Sequence, residues 1–418
     1  MKRTQSIAVA VTLLVCVAGV VGGVVLHSLL RPPRVTYRAN WSPAAAAAYL
    51  DQREVWWQKW PEAQREQGTE CVSCHTVLPY AWTRPMLRAQ LGQPQQTPIE
   101  TAMLQSIEKR VNDWQQIGPW YPDPAHAQPS RATESVMNAV ILDAYSTAQP
   151  QDPIAPIARK ASDEAWALQL TSGDGAGGWL WQDFHEAPWE SPESAYSGAA
   201  WMALAVGSAP ASYDNDPSYQ AHVQSLRGYL QRHYDTQPPL NQLYVLWASA
   251  KMPGLLSDAQ RTALVARVSA LQQSDGGWSL ASLDKQTRAK PAFLDMLKKA
   301  NSADGSDGIG TGLAVLALEE TGDAQDPVVK RGLAWLDHSQ NQRGNWWASS
   351  LNGFRDPHSD MGLFMSDAAT GYAILALDNE HKPASTTTAA SKEAIHRPAN
   401  LHRSSARTAS VPPSRLPM

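Results

Sequence analysis

Leu271-Gln-Gln273-Ser-Asp-Gly-Gly277-Trp278, followed by Gly310-Thr-Gly312-Leu-Ala-Val-Leu-Ala-Leu318, is one copy of a unit that occurs three times in the chain. An earlier copy runs Trp166-Ala-Leu-Gln169, Gly177-Gly-Trp179 and then Ser197-Gly198-Ala-Ala-Trp201-Met-Ala-Leu204. A later one has Leu333-Ala-Trp335-Leu336 with Gln340, Gly344 and Trp346, then Ala368-Ala-Thr-Gly371-Tyr-Ala-Ile-Leu-Ala-Leu377. Each copy reads as a helix, a loop carrying Gln, Gly and Trp, a variable loop, and a second helix rich in Gly and Ala. A unit of this kind cannot bury its apolar face alone and must stack on its neighbours. Gly198, Gly312 and Gly371 would let the second helices approach one another closely. Between the first two copies, Tyr219 to Tyr234 and Leu240 to Lys251 read as a further helix pair without the Trp loop. The expectation for residues 131–379 is an all-α closed ring or stacked array of helix pairs. The β-branched runs are too short for a substantial sheet.

The fragments Gln273 to Trp278 and Gln169 to Trp179 resemble the Gln-Trp repeats of squalene-hopene cyclases and their relatives. That resemblance implies an α/α toroid over residues 131–379, with Gln169, Trp179, Gln273, Trp278, Gln340 and Trp346 bracing successive helix pairs. It does not carry the reaction with it. The cyclases protonate an alkene with an Asp-x-Asp-Asp acid, and this chain has no such tetrapeptide. Its acidic runs, Asp214-Asn-Asp216, Asp304-Gly-Ser-Asp307 and Asp356-Pro-His-Ser-Asp360, read as turns and helix caps. The protein prenyltransferases share the toroid but hold zinc with a cysteine, for which none is left here. Cyclase and prenyltransferase activities are therefore not expected.

Upstream of the repeats lies Cys71-Val-Ser-Cys74-His75. Two cysteines two residues apart, followed at once by histidine, are what covalent haem c attachment requires: each thiol takes one vinyl group and the imidazole takes the iron. A disulfide or half of a zinc site also uses Cys-x-x-Cys, but a tetrahedral zinc site needs four ligands. The only other cysteine, Cys16, sits in an apolar N-terminal segment. Residues 40–130 are similar to a small cytochrome c in their order. A helix with Tyr49, Trp56, Trp57 and Trp60 comes first, then the motif. A loop marked by Pro79, Pro85, Pro94 and Pro98 follows, and then a helix from Glu100 to Gln116. Pro119, Pro122, Pro124 and Pro129 mark the expected boundary with the repeats. His75 is the expected proximal iron ligand, and the candidates for the sixth position are Met86, Met103, Met137 and His126. A vacant sixth position, suited to ligand sensing, stays open beside them.

Residues 1–39 are read as an anchor and linker. Ile7 to Leu30 form 24 residues without Asp, Glu, Lys or Arg, after Lys2 and Arg3. That is long enough to span a bilayer once. Arg31, Arg34 and Arg38 follow the span and leave orientation undecided by charge alone. Cytochromes of the c type receive haem outside the bacterial inner membrane, so the resemblance implies a single-pass inner-membrane protein with its body in the periplasm. The net charge of −4 excludes a nucleic-acid-binding class, which needs a basic patch. The tail, 380–418, is rich in Ser, Thr, Ala and Pro and reads as disordered.

Seventeen Trp against four Phe read first as repeat braces and helix packing, and second as an aromatic cavity for a sterol-like or isoprenoid ligand, with Trp181, Trp189 and Trp347 the best candidates for it. His185 and His358 are loop histidines and read as solvated. The function expected is electron transfer or haem-based sensing by an anchored c-type haem protein, with a redox partner protein, and a toroid that binds an apolar ligand or a partner. Two other classes are a haem-dependent oxidoreductase acting on an isoprenoid-like substrate and a non-catalytic scaffold.

Overall fold

The computed structural model describes residues 36–148, 154–209, 216–284, 305–320, 325–352, 355–356 and 359–379, all within the unit Met1–Glu380. The apolar segment Ile7 to Leu30, Cys16, His358 and the tail lie outside the described residues. No described helix is long and apolar enough to cross a membrane.

The described helices longer than one turn sort by burial into two classes. Six are buried on nearly every side or face several neighbours at once. They are α2 (Val77–Gln90), α4 (Ala127–Ala148), α6 (Ser194–Ser208), α8 (Pro239–Lys251), α11 (Gly308–Glu320) and α13 (Phe364–Asn379). In α6 every residue from Tyr196 to Val206 is buried, and in α11 every residue from Gly308 to Glu319. A helix that is apolar all round has no face to give to water and must sit between others. The second class, α1 (Pro43–Trp57), α3 (Pro98–Asn112), α5 (Ile154–Ala167), α7 (Pro217–His233), α9 (Asp258–Ala270) and α12 (Pro327–His338), lies outside. In α9 only Leu264 and Val268 are buried, a single stripe one turn long. A four-residue turn, α10 (Leu280–Leu283), rests on α11.

The inner helices close a ring. Helix α2 packs on α4, α4 on α6, α6 on α8, α8 on α11, α11 on α13, and α13 returns to α2. Each is backed by an outer helix. Strand pairing among the described residues is limited to β1 (Gln64–Arg65) with β2 (Thr69–Glu70), antiparallel, and two isolated bridges. Two of the three helix glycines do what close approach of helices demands, while the third, Gly198, makes room for the Trp181 indole of a loop, 2.2 Å from where its Cβ would stand. A Cβ on Gly312 would stand 2.6 Å from the Tyr372 carbonyl carbon, and one on Gly371 would stand 2.4 Å from Pro79 Cβ.

Two expectations change. Residues 40–130 do not form a body apart from the repeats: α2 is one of the six inner helices, and α1 and α3 are outer ones. Without them residues 131–379 would leave the ring open between α13 and α4. The first half of the stretch read as a proline loop is α2 itself, Pro94 lies between α2 and α3, and Pro98 opens α3. Pro79 falls in the first helical turn, where a missing N–H costs no bond, and it packs against Gly371. Pro85 lies inside the helix.

The Gln-Trp loops brace the outer helices. The indole N–H of Trp179 donates to Ala165 O, that of Trp278 to Val268 O and that of Trp346 to Leu336 O, at 2.7–2.8 Å. Each bond holds a carbonyl in the last turns of the preceding outer helix, where helical partners run out. The glutamine reaches forward: Gln169 Nε2 donates to His222 O of α7, and Gln340 Nε2 to Ser42 O at the start of α1. In the middle copy the reaching residue is Gln272, not Gln273, and its Nε2 donates to Val328 O of α12. A pair of adjacent glutamines leaves this register undecided in the sequence. The Gln340 brace spans the seam of the ring, and Ser42 N donates back to Gln340 Oε1 at 2.7 Å. At that seam Gly344 has φ +100°, and a Cβ would lie 2.1 Å from Ala45 O. Only glycine meets both conditions.

Candidate functional site

A cavity of ≈ 300 Å³ opens where the inner helices begin, within the range of small-molecule sites. Cys71, Cys74 and His75 line it, because the motif is the turn that starts α2. Ser73, one of the two residues between the cysteines, accepts from the backbone N–H groups of Thr76 and Val77 and so starts the helix. Trp57 Nε1 donates to Cys71 O at 2.8 Å and fixes the entry to the motif. The two thiols are not joined to each other. Burial pushes the Cys71 thiol up to about 11 and Cys74 higher than its ordinary value.

His75 is held by its ring and by one nitrogen. Its imidazole stacks on Phe364 with centroids 3.9 Å apart and meets the edge of Trp57 at 5.3 Å. Burial lowers its pKa to about 3, helped by the positive charges of Arg53 and Arg355, so the ring is neutral. Nδ1 lies 2.9 Å from Thr76 Oγ1, and that hydroxyl donates to Asp367 Oδ2 at 2.8 Å. The hydroxyl's proton is thereby committed, so Nδ1 is the donor and Nε2 carries the lone pair. Asp367 also accepts from Tyr49 Oη at 2.6 Å and Arg53 Nε at 2.8 Å. Three elements, α1, the start of α2 and α13, thus meet on one carboxylate. Neither Thr76 nor Asp367 stands out in the sequence: the first is a common residue beside a motif, the second is 292 positions away from His75.

The fit to haem c can be judged on these residues. Both thiols and the imidazole face one cavity walled by Trp57, Trp60, Trp120, Trp181 and Trp189. A histidine ligand to iron must be neutral, with its second nitrogen tied by a hydrogen bond, and His75 meets both conditions. The four candidates for the sixth position fare differently. Met103 and Met137 are core residues of α3 and α4, and Met86 packs against the core from α2. His126 pairs with Asp123 at 2.9 Å and lies against Phe184. None of the four lines the cavity, whereas Met361 and Met365 do. Spacing from the motif could not find them, since they enter from the far end of the chain as the ring closes. Among the described residues no three His, Cys, Asp or Glu side chains group as a metal-ion cage.

Of the aromatic candidates, Trp181 and Trp189 line the cavity and Trp347 does not. Trp181 Nε1 donates to Trp189 O at 2.9 Å, and its ring meets Trp201 edge-on. Trp82, Trp201, Trp247, Tyr244 and Tyr372, from four of the inner helices, meet one another ring to ring, with the two tyrosine hydroxyls 2.7 Å apart. His185 is exposed beside Asp183. The acidic runs do cap and turn work: Asp216 caps α7, and Asp307 accepts from the N–H groups of Leu280, Ile309 and Gly310. Asp360 pairs with Arg53 at 2.9 Å.

Among known proteins, the model of the family described as "Squalene-hopene cyclase C-terminal domain" matches residues 240–382. No curated protein matches the chain. A solved structure described as a polysaccharide lyase aligns over 82% of this chain and 90% of its own, at 13% identity and a TM-score of 0.34. That likeness is too slight to bear on fold or function. Residues 240–382, which include α8 to α13, are therefore similar to the C-terminal domain of squalene-hopene cyclases, and the ring to which they contribute is a mostly helical α/α toroid.

Proposed function

We propose that the chain is a c-type haem protein for electron transfer or haem-based sensing, anchored in the bacterial inner membrane with its ring in the periplasm. The observation that carries this reading is the convergence of Cys71, Cys74 and a neutral, Nδ1-tethered His75 on one aromatic cavity. Cys71 and Cys74 would hold the macrocycle through thioethers, and His75 Nε2 would take the iron. Met365, the better buried of the two cavity methionines, would be the candidate second protein ligand to the iron. Bound there, haem would supply a reversible one-electron couple. The chain itself orients His75 through Thr76 and Asp367, stacks Phe364 on the imidazole, and walls the cavity against water with indoles. Two further expectations, a redox partner protein and an apolar ligand, belong to the same reading. No cyclase chemistry is assigned, because the sequence has no Asp-x-Asp-Asp tetrapeptide and Asp216, Asp307 and Asp360 are spent on caps and on Arg53.

The test is co-expression of the full chain with a c-type haem maturation system, followed by haem staining after denaturing electrophoresis and by oxidised and reduced absorption spectra. A stained band that disappears in Cys71→Ala/Cys74→Ala is the expected result. A low-spin oxidised spectrum that becomes high-spin in Met365→Leu would support that ligand. An unstained wild-type band would overturn the haem reading.

A further inference from the structure

Of the two acidic side chains on the cavity wall, Glu186 and Glu190, only the first has a cation of its own. Arg355 Nη2 donates to Glu186 Oε2 at 2.8 Å, whereas no described residue donates to the Glu190 carboxyl group. The backbone of Glu190 is pinned: its N–H donates to Glu186 O at 2.8 Å, and its C=O accepts from Phe184 N at 3.0 Å and Glu186 N at 2.8 Å. The side chain is therefore carried on a closed loop between α5 and α6. It keeps part of its surface open, on the wall of the same cavity that Cys71 and Cys74 line.

The charged and titratable groups around Glu190 come from every side of the cavity. Burial is the main cause of the raised pKa of Cys71 and Cys74, at the start of α2, and of Tyr121, in the loop after α3; the charge of Glu190 adds to each. Burial and the neighbouring Glu186 push the Glu190 carboxyl up to about 7, and Arg355, just before α13, pulls it back only in part. An acid poised near neutrality without a partner gains or loses its proton when the charge beside it changes. We propose that Glu190 is the proton acceptor of a proton-coupled redox site, taking one proton from water when haem held by Cys71 and Cys74 takes one electron from a one-electron donor protein, and returning it when the electron leaves. That role rests on the haem reading. Reduction removes one positive charge from the iron and favours the neutral carboxyl; oxidation restores the charge and favours the carboxylate, so the net charge of the site stays constant. The other groups are not free to follow. Glu186 is tied to Arg355, the thiols would be spent on thioethers, and burial pushes the Tyr121 hydroxyl up to about 12.

The experiment measures the midpoint potential of the full chain, matured with haem, by mediated spectroelectrochemistry at pH 6 and pH 8. The wild-type potential should fall as pH rises, by about 59 mV for an expected difference of about 10-fold in the proton affinity of Glu190 between the two redox states. Glu190→Gln should lose this fall and Glu190→Asp, which keeps the acid, should retain most of it; the haem propionates are common to all three chains and cancel in the comparison. A second readout needs no haem. A carboxyl whose folded-state pKa is raised contributes stability that is full below the unfolded value, near 4.5, and is lost as pH climbs to about 7. In the haem-free Cys71→Ala/Cys74→Ala chain, the urea-unfolding constant should therefore rise at least about 10-fold more between pH 5 and pH 7 than in the same chain carrying Glu190→Gln. Equal pH dependence of the potential in wild type and Glu190→Gln overturns the proposal and leaves the haem reading standing. Equal pH dependence of the two haem-free chains overturns it as well, while a wild-type band without haem stain overturns both readings.

Discussion

Helices α1 to α4 are tied by arginine, and the rest of the ring by indoles and amides. Arg84 meets Asp51, Arg88 meets Glu100, Arg110 meets Glu134, and Arg53 reaches across to Asp367 of α13, at 2.5–3.0 Å and with every guanidinium buried. From α5 onward the joints shielded from water are the three Trp N–H bonds and the glutamine braces, all neutral, while the ion pairs between helices there, Arg159 with Asp216 and Lys251 with Glu320, are solvent-exposed. The two chemistries differ in how they fail. A neutral joint loses a bond when cut, while a cut ion pair strands a charge away from water. That difference teaches where the ring is brittle: at α1 to α4, upstream of the first Gln-Trp loop.

The largest effect should come from Arg110→Met. Arg110 Nε donates to Glu134 at 2.5 Å, and its other nitrogens reach Thr69 Oγ1 and Gly118 O. Removing it leaves Glu134 buried with only a long contact to Arg131, and should cost about 3–5 kcal/mol in urea unfolding. Changing both partners, Arg110→Met with Glu134→Leu, should cost clearly less than the single change. If the double variant is as unstable as the single one, stranded charge is not what makes this region brittle.

A neutral joint should give less. Trp278→Phe removes the indole N–H from Val268 O at the end of α9 and should cost about 1–3 kcal/mol. Trp335→Phe serves as its control. That indole donates to Asp275 at an exposed site, where water replaces the bond, so thermal unfolding should hardly move. Equal losses in the two variants would mean that the Gln-Trp loop is no more of a joint than a surface contact.

The same contrast decides what could be read in advance. The neutral joints repeat, so Trp179, Trp278 and Trp346 are visible in one sequence, down to an uncertainty of one residue at Gln272 and Gln273. The ionic joints do not repeat. Arg53 and Asp367 are 314 positions apart, and nothing in either neighbourhood names the other. The cysteines and His75 carry their chemistry in a local pattern and are legible for that reason. The cavity they line is assembled by ring closure, which brings Met365, Gln182 and Trp120 to the motif from three other segments. Proline misled the reading of α2, because the cost of Pro79 depends on its position in a helix turn that only the ring defines.

The smallest effect separates the two regions by pH. Glu54 of α1 is buried, its Oε1 accepts from Gln58 at 3.1 Å, and its Oε2 has no partner among the described residues. Burial lifts its pKa to about 8, with Glu70, Asp367 and Asp51 adding repulsion. Asp307, in the neutral region, is just as buried but receives three backbone N–H groups and rises only to about 6. A raised folded-state pKa means that stability is complete below the unfolded value, near 4.5 for Glu54, and is lost as pH climbs through 8. Between pH 6 and 7 Asp307 has largely ionised while Glu54 is still gaining its penalty. Over that interval wild type should lose up to about 1.4 kcal/mol more than Glu54→Gln, whose amide cannot ionise. Parallel urea titrations at the two pH values measure the difference. Identical slopes would show that Glu54 is already charged at pH 6, and that α1 accommodates a second buried anion beside Asp367.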